Sequence, residues 1–304
     1  MVSENSIELK NVEFFYKKNV FILKNLSAKI LGGRITALLG INGSGKTTLF
    51  KILTGLCNPS FGNFYYNNVN IDNNTIPFYK KELGFMPEFL QLYKDMYVKD
   101  VLRFFAELKG YYNVNFDEIL NTVFLLEHSN KKVKALSKGM KQRLNLAQAI
   151  VGNPKVVLFD EPSNGFDCGS ITMFYSILRK LADNGAVVLI SSHHLTEIYG
   201  NVDNVLILSN GAIIKEFDIN LFDSDDSFLF KEVYIRLDFL NDVIVSLLNT
   251  RFPNFNVKNN NILYGRANNK SMLDLILFLL DMQIFIKDIR IDNKILEDML
   301  LNLS

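Results

Sequence analysis

Gly40-Ile41-Asn42-Gly43-Ser44-Gly45-Lys46-Thr47-Thr48 decides how the rest of this chain is read. It fits the phosphate-loop pattern G-x-x-x-x-G-K-[ST] at every fixed position. Ile35-Thr36-Ala37-Leu38-Leu39 ahead of it is a short apolar run bounded by Gly33 and Gly40, which predicts a buried strand. Residues 47–53 behind it predict a helix ending at Gly55. Strand, loop and helix are the setting such a loop needs. Glycines let backbone NH groups turn inward, and the helix N-terminus brings its positive dipole end to the same point. A polyphosphate fits there, cradled by Asn42, Gly43, Ser44, Gly45 and Thr48. Lys46 would reach the β and γ phosphates as a point charge, while the Thr47 hydroxyl would ligate a bridging magnesium ion.

The bulk numbers agree with a globular nucleotide-binding chain. Its 304 residues hold one large domain or two modest ones, and 48% apolar content is ample for a buried core. Lys plus Arg number 33 against 32 for Asp plus Glu, so no net field draws the chain to nucleic acid or an anionic membrane. Cys57 and Cys168 are far apart and form no CxxC pair, which suits a reducing compartment and supplies no zinc or disulfide framework. Met1-Val2-Ser3-Glu4-Asn5 lacks a basic segment followed by an apolar one, so no secretion signal is expected. No apolar run approaches the roughly 20 residues that cross a bilayer.

Around the loop, 7–10, 12–16 and 26–30 alternate as strands and predict a small antiparallel sheet beside the nucleotide core. Tyr16, at the end of one of them, is a platform on which a purine could stack, although an aromatic there is more often core. Pro59-Ser60-Phe61-Gly62 turns the chain into 63–66 and an asparagine-rich tract, which predicts a hairpin. Leu83-Gly84-Phe85-Met86 reads as a buried strand stopped by Pro87. From 98–109 and 116–126 the apolar spacing is helical, with Val98, Val101, Leu102 and Phe105 on one face. His128 falls on a polar helix end and reads as surface. Leu136-Ser137-Lys138-Gly139-Met140 opens a third helix through Ile150, and Ser137 with the first NH groups could meet a phosphate. Together these helices form an insert over about 89–150.

Val156-Val157-Leu158-Phe159-Asp160-Glu161 is an apolar strand ending in two carboxylates. Asp160 is expected beside the magnesium, at the end of a strand neighbouring the phosphate loop, which leaves Glu161 to polarise the attacking water. A further buried strand, 186–190, leads to Ser191-Ser192-His193-His194, where a histidine past the strand end could reach a γ phosphate.

Over residues 5–217 the assembled pattern resembles the ATP-binding subunits of ABC transporters. Residues 40–48 match Walker A and 156–160 match Walker B. Glu161 stands at the catalytic glutamate position, Tyr16 at the adenine-stacking aromatic and His193 at the switch histidine. Ser163-Asn164-Gly165-Phe166-Asp167 resembles the D-loop. Two departures stand out: Ser-Lys-Gly-Met replaces the commoner Ser-Gly-Gly-Gln of the signature, and Pro87-Glu88 carries glutamate where most relatives have a magnesium-linking glutamine. Ser137 and Gly139 keep the hydroxyl and the close backbone approach. Both departures resemble the ABC-2-type exporter branch. Within it, segments 83–88, 104–110 and 136–150 are similar to the ATPase of the nitrous oxide reductase maturation transporter.

The resemblance implies a P-loop NTPase core of α/β class with an antiparallel β subdomain and a helical insert. It also implies ATP and Mg2+ as bound species, with Thr47, Asp160 and Glu88 around the metal. The implied partners are an integral membrane permease and a second copy of the chain, head to tail, each ATP lying between Walker A of one copy and Ser137 to Gly139 of the other. That places the chain in the cytoplasm, peripheral at the inner face of the plasma membrane. A soluble ABC-type ATPase acting in translation or on nucleic acid is the competing class. Against it stand a single phosphate loop, no heptad run and no aromatic-basic stripe.

Past Phe217 the pattern changes. Residues 218–230 are polar and acidic and read as a linker. Beyond it, 232–237 alternates, 240–249 is helical, 255–257 and 262–264 pair as a hairpin, 272–282 is helical and 284–291 alternates again. Strand, helix, two strands, helix, strand predicts a ferredoxin-like α+β domain over 231–304, closed by a helix at 296–300. An accessory dimerisation or regulatory role and a passive appendage are both open for it.

Overall fold

The computed structural model of the chain describes residues 5–17, 20–163, 165, 166, 168–192, 200–218, 231–258, 261–267 and 269–292. The chain divides into two compact units, Met1–Asn220 and Leu221–Ser304.

In the first unit, the apolar runs of the sequence become the centre of a six-stranded sheet. β3 (Ile35–Leu39), β7 (Val156–Phe159) and β8 (Val187–Ser192) are buried at every residue, as strands covered on both faces must be. Two strands of another sheet precede them in sequence, β1 (Ser6–Lys17) and β2 (Val20–Leu31), and α1 (Lys46–Leu53), β4 (Phe61–Tyr66), β5 (Val69–Asn70), α2 (Ile76–Glu82) and β6 (Leu83–Met86) lie between β3 and β7. With β9 (Asn204–Ser209) and β10 (Ala212–Asp218), the large sheet runs β10-β9-β3-β8-β7-β6. The five strands from β9 to β6 are parallel and β10 is antiparallel.

A second, antiparallel sheet runs β2-β1-β4-β5. Helix α1 is buried between the two: its Leu49, Phe50, Ile52 and Leu53 join Ile7, Leu9 and Leu26 of one sheet and Leu38, Leu158 and Leu189 of the other. Each such side chain contributes about 1.5–3 kcal/mol on burial. The helix that presents the phosphate loop is therefore fixed by the centre of the core.

The β9–β10 hairpin is absent from the sequence expectations, although Asn210-Gly211 is the strongest short hairpin signal there is. Both residues have positive φ, 48 and 84 degrees, as a type I′ turn demands. A Cβ on Gly211 would meet the Ile22 carbonyl oxygen at 2.2 Å, and the Lys24 amide donates to the Gly211 oxygen at 2.8 Å. Gly211→Ala is accordingly expected to destabilise this unit by roughly 2–3 kcal/mol, from left-handed strain plus the clash with β2. Thermal unfolding should show a midpoint about 5–10 °C lower; an unchanged midpoint would mean that the hairpin does not dock on β2.

Between β6 and β7 lies the helical insert: α3 (Val98–Leu108), α4 (Phe116–Thr122), two single 3-10 turns and α5 (Lys138–Ile150). The expected buried face of α3 is present in Val98, Val101 and Leu102, with Ala106 added and Phe105 half-buried. Helix α4 stops four residues short of the expected 126. Phe124 takes φ 54 degrees and the Leu125 amide turns back to the Leu120 oxygen at 2.7 Å. His128 is half-buried rather than on the surface, and its Nδ1 is inaccessible and without a hydrogen-bond partner. After β7 comes α6 (Cys168–Asp183), which leads to β8. Asp218, assigned to a linker for its polarity, is the last residue of β10 and pairs with Arg34 at 2.8 Å.

The second unit runs β11 (Lys231–Leu237), α7 (Asp242–Arg251), β12 (Phe255–Lys258), β13 (Ile262–Ala267), α8 (Asn269–Asp281) and β14 (Ile286–Asp292). Its antiparallel sheet has the order β12-β13-β11-β14, that of a ferredoxin-like fold. Val233, Ile235 and Leu263 form a core with Leu248 of α7 and Leu275, Phe278 and Leu279 of α8. The expected closing helix at 296–300 and residues 219–230 of the expected linker lie outside the described residues.

Candidate nucleotide site

Parallel strands deliver their carboxyl ends to one edge, and an open α/β sheet binds ligands there. β3 ends at Leu39 just before the phosphate loop, β7 at Phe159 just before Asp160 and Glu161, and β8 at Ser192, so the loop and both carboxylates meet. A cavity of about 380 Å³ opens at this edge. Tyr16, Asn42, Gly43, Gly45, Lys46, Thr47, Thr48, Glu88 and Glu161 line it, with Ile22 and Ile41.

The loop geometry fits a polyanion. Gly45 has φ 111 degrees, and a Cβ there would meet Leu23 Cδ2 at 2.8 Å and the Ile22 oxygen at 3.2 Å. No side chain caps α1, which leaves its first NH groups for a ligand. Ser44 Oγ is buried and has no hydrogen-bond partner, an orphan that an anion would satisfy. Lys46 Nζ is held inside, donating to the Gly40 oxygen at 2.6 Å and lying 3.3 Å from Glu161 Oε1. Tyr16 is not core: it is 58% exposed, set edge-on to Phe14 at 4.8 Å, with Lys51 Nζ 3.4 Å from its hydroxyl. An exposed ring beside the loop is a stacking platform.

Asp160 does not sit on a strand adjacent to β3, as expected; β8 lies between. The gap is bridged by Ser191 of β8, whose hydroxyl donates to Asp160 Oδ1 at 2.7 Å and accepts the Glu161 amide at 2.8 Å. Burial pushes the Asp160 carboxyl above its ordinary value, and the neighbouring Glu161 adds to this; the Ser191 hydroxyl, Lys46 and a hydrogen bond from Thr47 oppose it. Glu161 itself stands at φ 46 degrees, a left-handed conformation that is costly for a long side chain.

Asp160 thus lies near Thr47, and Glu88 borders the same cavity. Hard oxygen donors around a carboxylate disfavoured by burial suit magnesium. Among the described residues no group of three or more His, Cys, Asp or Glu could hold a metal alone.

Ser137 and Gly139 do not border this cavity. Ser137 caps α5, its Oγ accepting the Met140 amide at 3.2 Å, and is exposed. Helix α5 nonetheless bonds to both loops of the site: Asn145 Nδ2 donates to the Pro87 oxygen and Gln142 Nε2 to the Pro162 oxygen, each at 3.1 Å. His193, with Asn164 and Asp167, lies outside the described residues. Sequence reasoning missed Ile22 and Ser191. The run Val20-Phe21-Ile22-Leu23 carried a strand signal for the first, whereas the hydroxyls of Ser191-Ser192 after an apolar run gave none for the second.

A profile of the ABC transporter family matches residues 23–164. An uncharacterised ABC transporter ATP-binding protein of Methanocaldococcus jannaschii is 33% identical over 68% of this chain and 76% of its own length. The lantibiotic transport ATP-binding protein SrtF of Streptococcus pyogenes is 32% identical over 70% of this chain and 91% of its own. Among solved structures, an ATP-binding subunit of an ABC transporter aligns at TM-score 0.66 and 25% identity, over 70% of this chain and 90% of that one.

Proposed function

The chain belongs to the ATP-binding proteins of ABC transporters, and on that premise we propose that it is the ATP-hydrolysing motor serving a separate membrane permease. The supporting observation is the convergence of Lys46, Thr47, Asp160, Glu161 and Glu88 on one edge of the sheet, with Phe89, next in sequence to Glu88, 81% exposed. Tyr93, Tyr97 and Phe104 are also exposed on the insert, Tyr93 and Phe104 with ring centroids 6.1 Å apart, and exposed aromatics suit a protein partner. A cavity-lining carboxylate is therefore followed directly by an exposed aromatic, a short path from nucleotide to permease.

In this function Tyr16 stacks the adenine and Asn42 to Thr48 hold the phosphates. Lys46 exchanges its ion pair with Glu161 for the β and γ phosphates, and Glu161, so released, orients and polarises the attacking water. Magnesium held by Thr47, Asp160 and Glu88 would neutralise charge on those phosphates. His193 contacts the γ phosphate.

Ser137, exposed, and Gly139, half-buried, both outside their own chain's cavity lining, cap the ATP of a second copy in a head-to-tail homodimer. ATP then acts as glue between copies, and hydrolysis favours opening. An ATPase domain that runs through Asp218 at the end of β10, a linker over 219–230 and an accessory domain over 231–304 belong to this proposal, as does peripheral attachment at the cytoplasmic face. No helix among the described residues is long and apolar enough to cross a membrane. Pro87-Glu88 and Ser-Lys-Gly-Met favour the exporter branch, maturation transporters included.

Affinity purification in mild detergent with ATP and magnesium, followed by mass spectrometry, is expected to recover a polytopic membrane protein. Recovery of ribosomal or nucleic-acid-binding proteins alone would replace the transport function with the soluble one.

A further inference from the structure

We propose that Ser191 is a positioning residue for hydrolysis, its one hydroxyl setting both the rotation of the Asp160 carboxylate and the backbone of Glu161. The inference rests on the ATPase function above. Ser191 is fully buried at the carboxyl end of β8, paired in register with Leu38 of β3 on one side, while β7 flanks β8 on the other. It stands between the strand that leads to the phosphate loop and the strand that leads to the carboxylates.

A hydroxyl has one proton to donate and two lone pairs. Here the proton goes to Asp160 Oδ1 at 2.7 Å and one lone pair receives the Glu161 amide at 2.8 Å. The first bond ties one oxygen of a buried carboxylate and so restricts its rotation. The second supplies the acceptor for the amide of a residue held at φ 46 degrees, where the backbone would otherwise relax toward the right-handed region. Because one atom makes both bonds, the metal-facing carboxylate and the adjacent residue keep a fixed mutual orientation. An alanine at this position would leave a buried carboxylate oxygen and a buried amide unsatisfied together. An ordinary core serine satisfies backbone groups of its own surroundings; this one joins two acidic side-chain positions of the site across a strand boundary.

The test compares wild type, Ser191→Ala and Ser191→Thr. Three quantities are read: ATP affinity in EDTA, Mn2+ affinity of the protein–ATP complex by electron paramagnetic resonance, and kcat against magnesium concentration. Ser191→Ala is expected to bind ATP normally in EDTA, to bind Mn2+ about tenfold more weakly and to lose about 10- to 100-fold in kcat, the scale of losing one charge-assisted hydrogen bond plus alignment. Ser191→Thr, which keeps the hydroxyl, should restore Mn2+ affinity. If alanine does not fold, Ser191→Cys, close in size and a weak donor, is measured in its place against the same expectations. Wild-type Mn2+ affinity and turnover in the alanine or cysteine variant would overturn the proposal. So would a fall in kcat with unchanged Mn2+ affinity that threonine fails to restore, the signature of a purely structural role. Wild type without metal-dependent ATP hydrolysis would remove the underlying ATPase function, an outcome visible before any variant is made.

Discussion

Glu161→Gln is expected to lower ATP turnover by about 10²- to 10⁴-fold, the range for removing a positioned general base, while nucleotide affinity is kept or tightened. The two halves of this result have separate causes. Glutamine preserves the shape of the side chain at its left-handed backbone position but cannot take a proton from water. It also removes the negative charge that lies 3.3 Å from Lys46 Nζ in a buried pair. That pair is a contact the incoming phosphates must displace, so its loss releases the lysine for them. Slow hydrolysis with retained binding should leave the ATP-bound dimer as the lasting species. Phosphate release and size-exclusion chromatography with ATP and magnesium measure both halves. Near-normal turnover would show that another group activates the water, and normal trapping of monomer would separate catalysis from dimerisation.

The parts of this site that were legible in the sequence are those whose chemistry is local. Lys46 and Thr47 follow a glycine loop in a fixed spacing because the loop itself must be short and inward-turned, and the geometry around Gly45 and the bare N-terminus of α1 bear this out. Asp160 and Glu161 could be recognised because a phosphate loop lies upstream; without it, two acids that end an apolar strand read as a solvated strand end. Strand order was not local, and it misled: the sequence places Asp160 on a neighbouring strand, whereas β8 intervenes. Ser191 was invisible for the same reason, since its importance arises only once β8 lies beside β7. Ile22 and the β9–β10 hairpin were missed although a strand run and an Asn-Gly pair marked them; Gly211 shows that the two are one packing problem, because the hairpin rests on the Ile22 backbone. Tyr16 went the other way. An aromatic at a strand end is usually core, whereas Tyr16 is exposed and lines the cavity, which supports the stacking role proposed for it.

Lys46→Ala is expected to weaken ATP binding by about 100-fold or more. A charge-assisted hydrogen bond contributes roughly 1.5–3 kcal/mol, the lysine would engage two phosphates, and 1.4 kcal/mol is tenfold in affinity. The substitution also leaves Glu161, nearly buried, without its cation, so unfolding must be measured alongside binding. Lys46→Met, which retains the apolar stem, separates the loss of charge from the loss of packing. Equilibrium binding of a fluorescent ATP analogue reads the effect, and unchanged affinity in a folded variant would mean that the loop does not hold the phosphates. The same variant then decides the assembly. Mixed with Ser137→Arg chains, it forms heterodimers in which one composite site carries both lesions and the other carries none, an intact Walker A from one chain facing an intact signature from its partner. Neither variant alone should hydrolyse ATP, and the mixture should regain activity through that one intact site. A mixture as inactive as its components would exclude the head-to-tail arrangement, because in any arrangement where each chain completes its own site the two lesions could never be sorted apart.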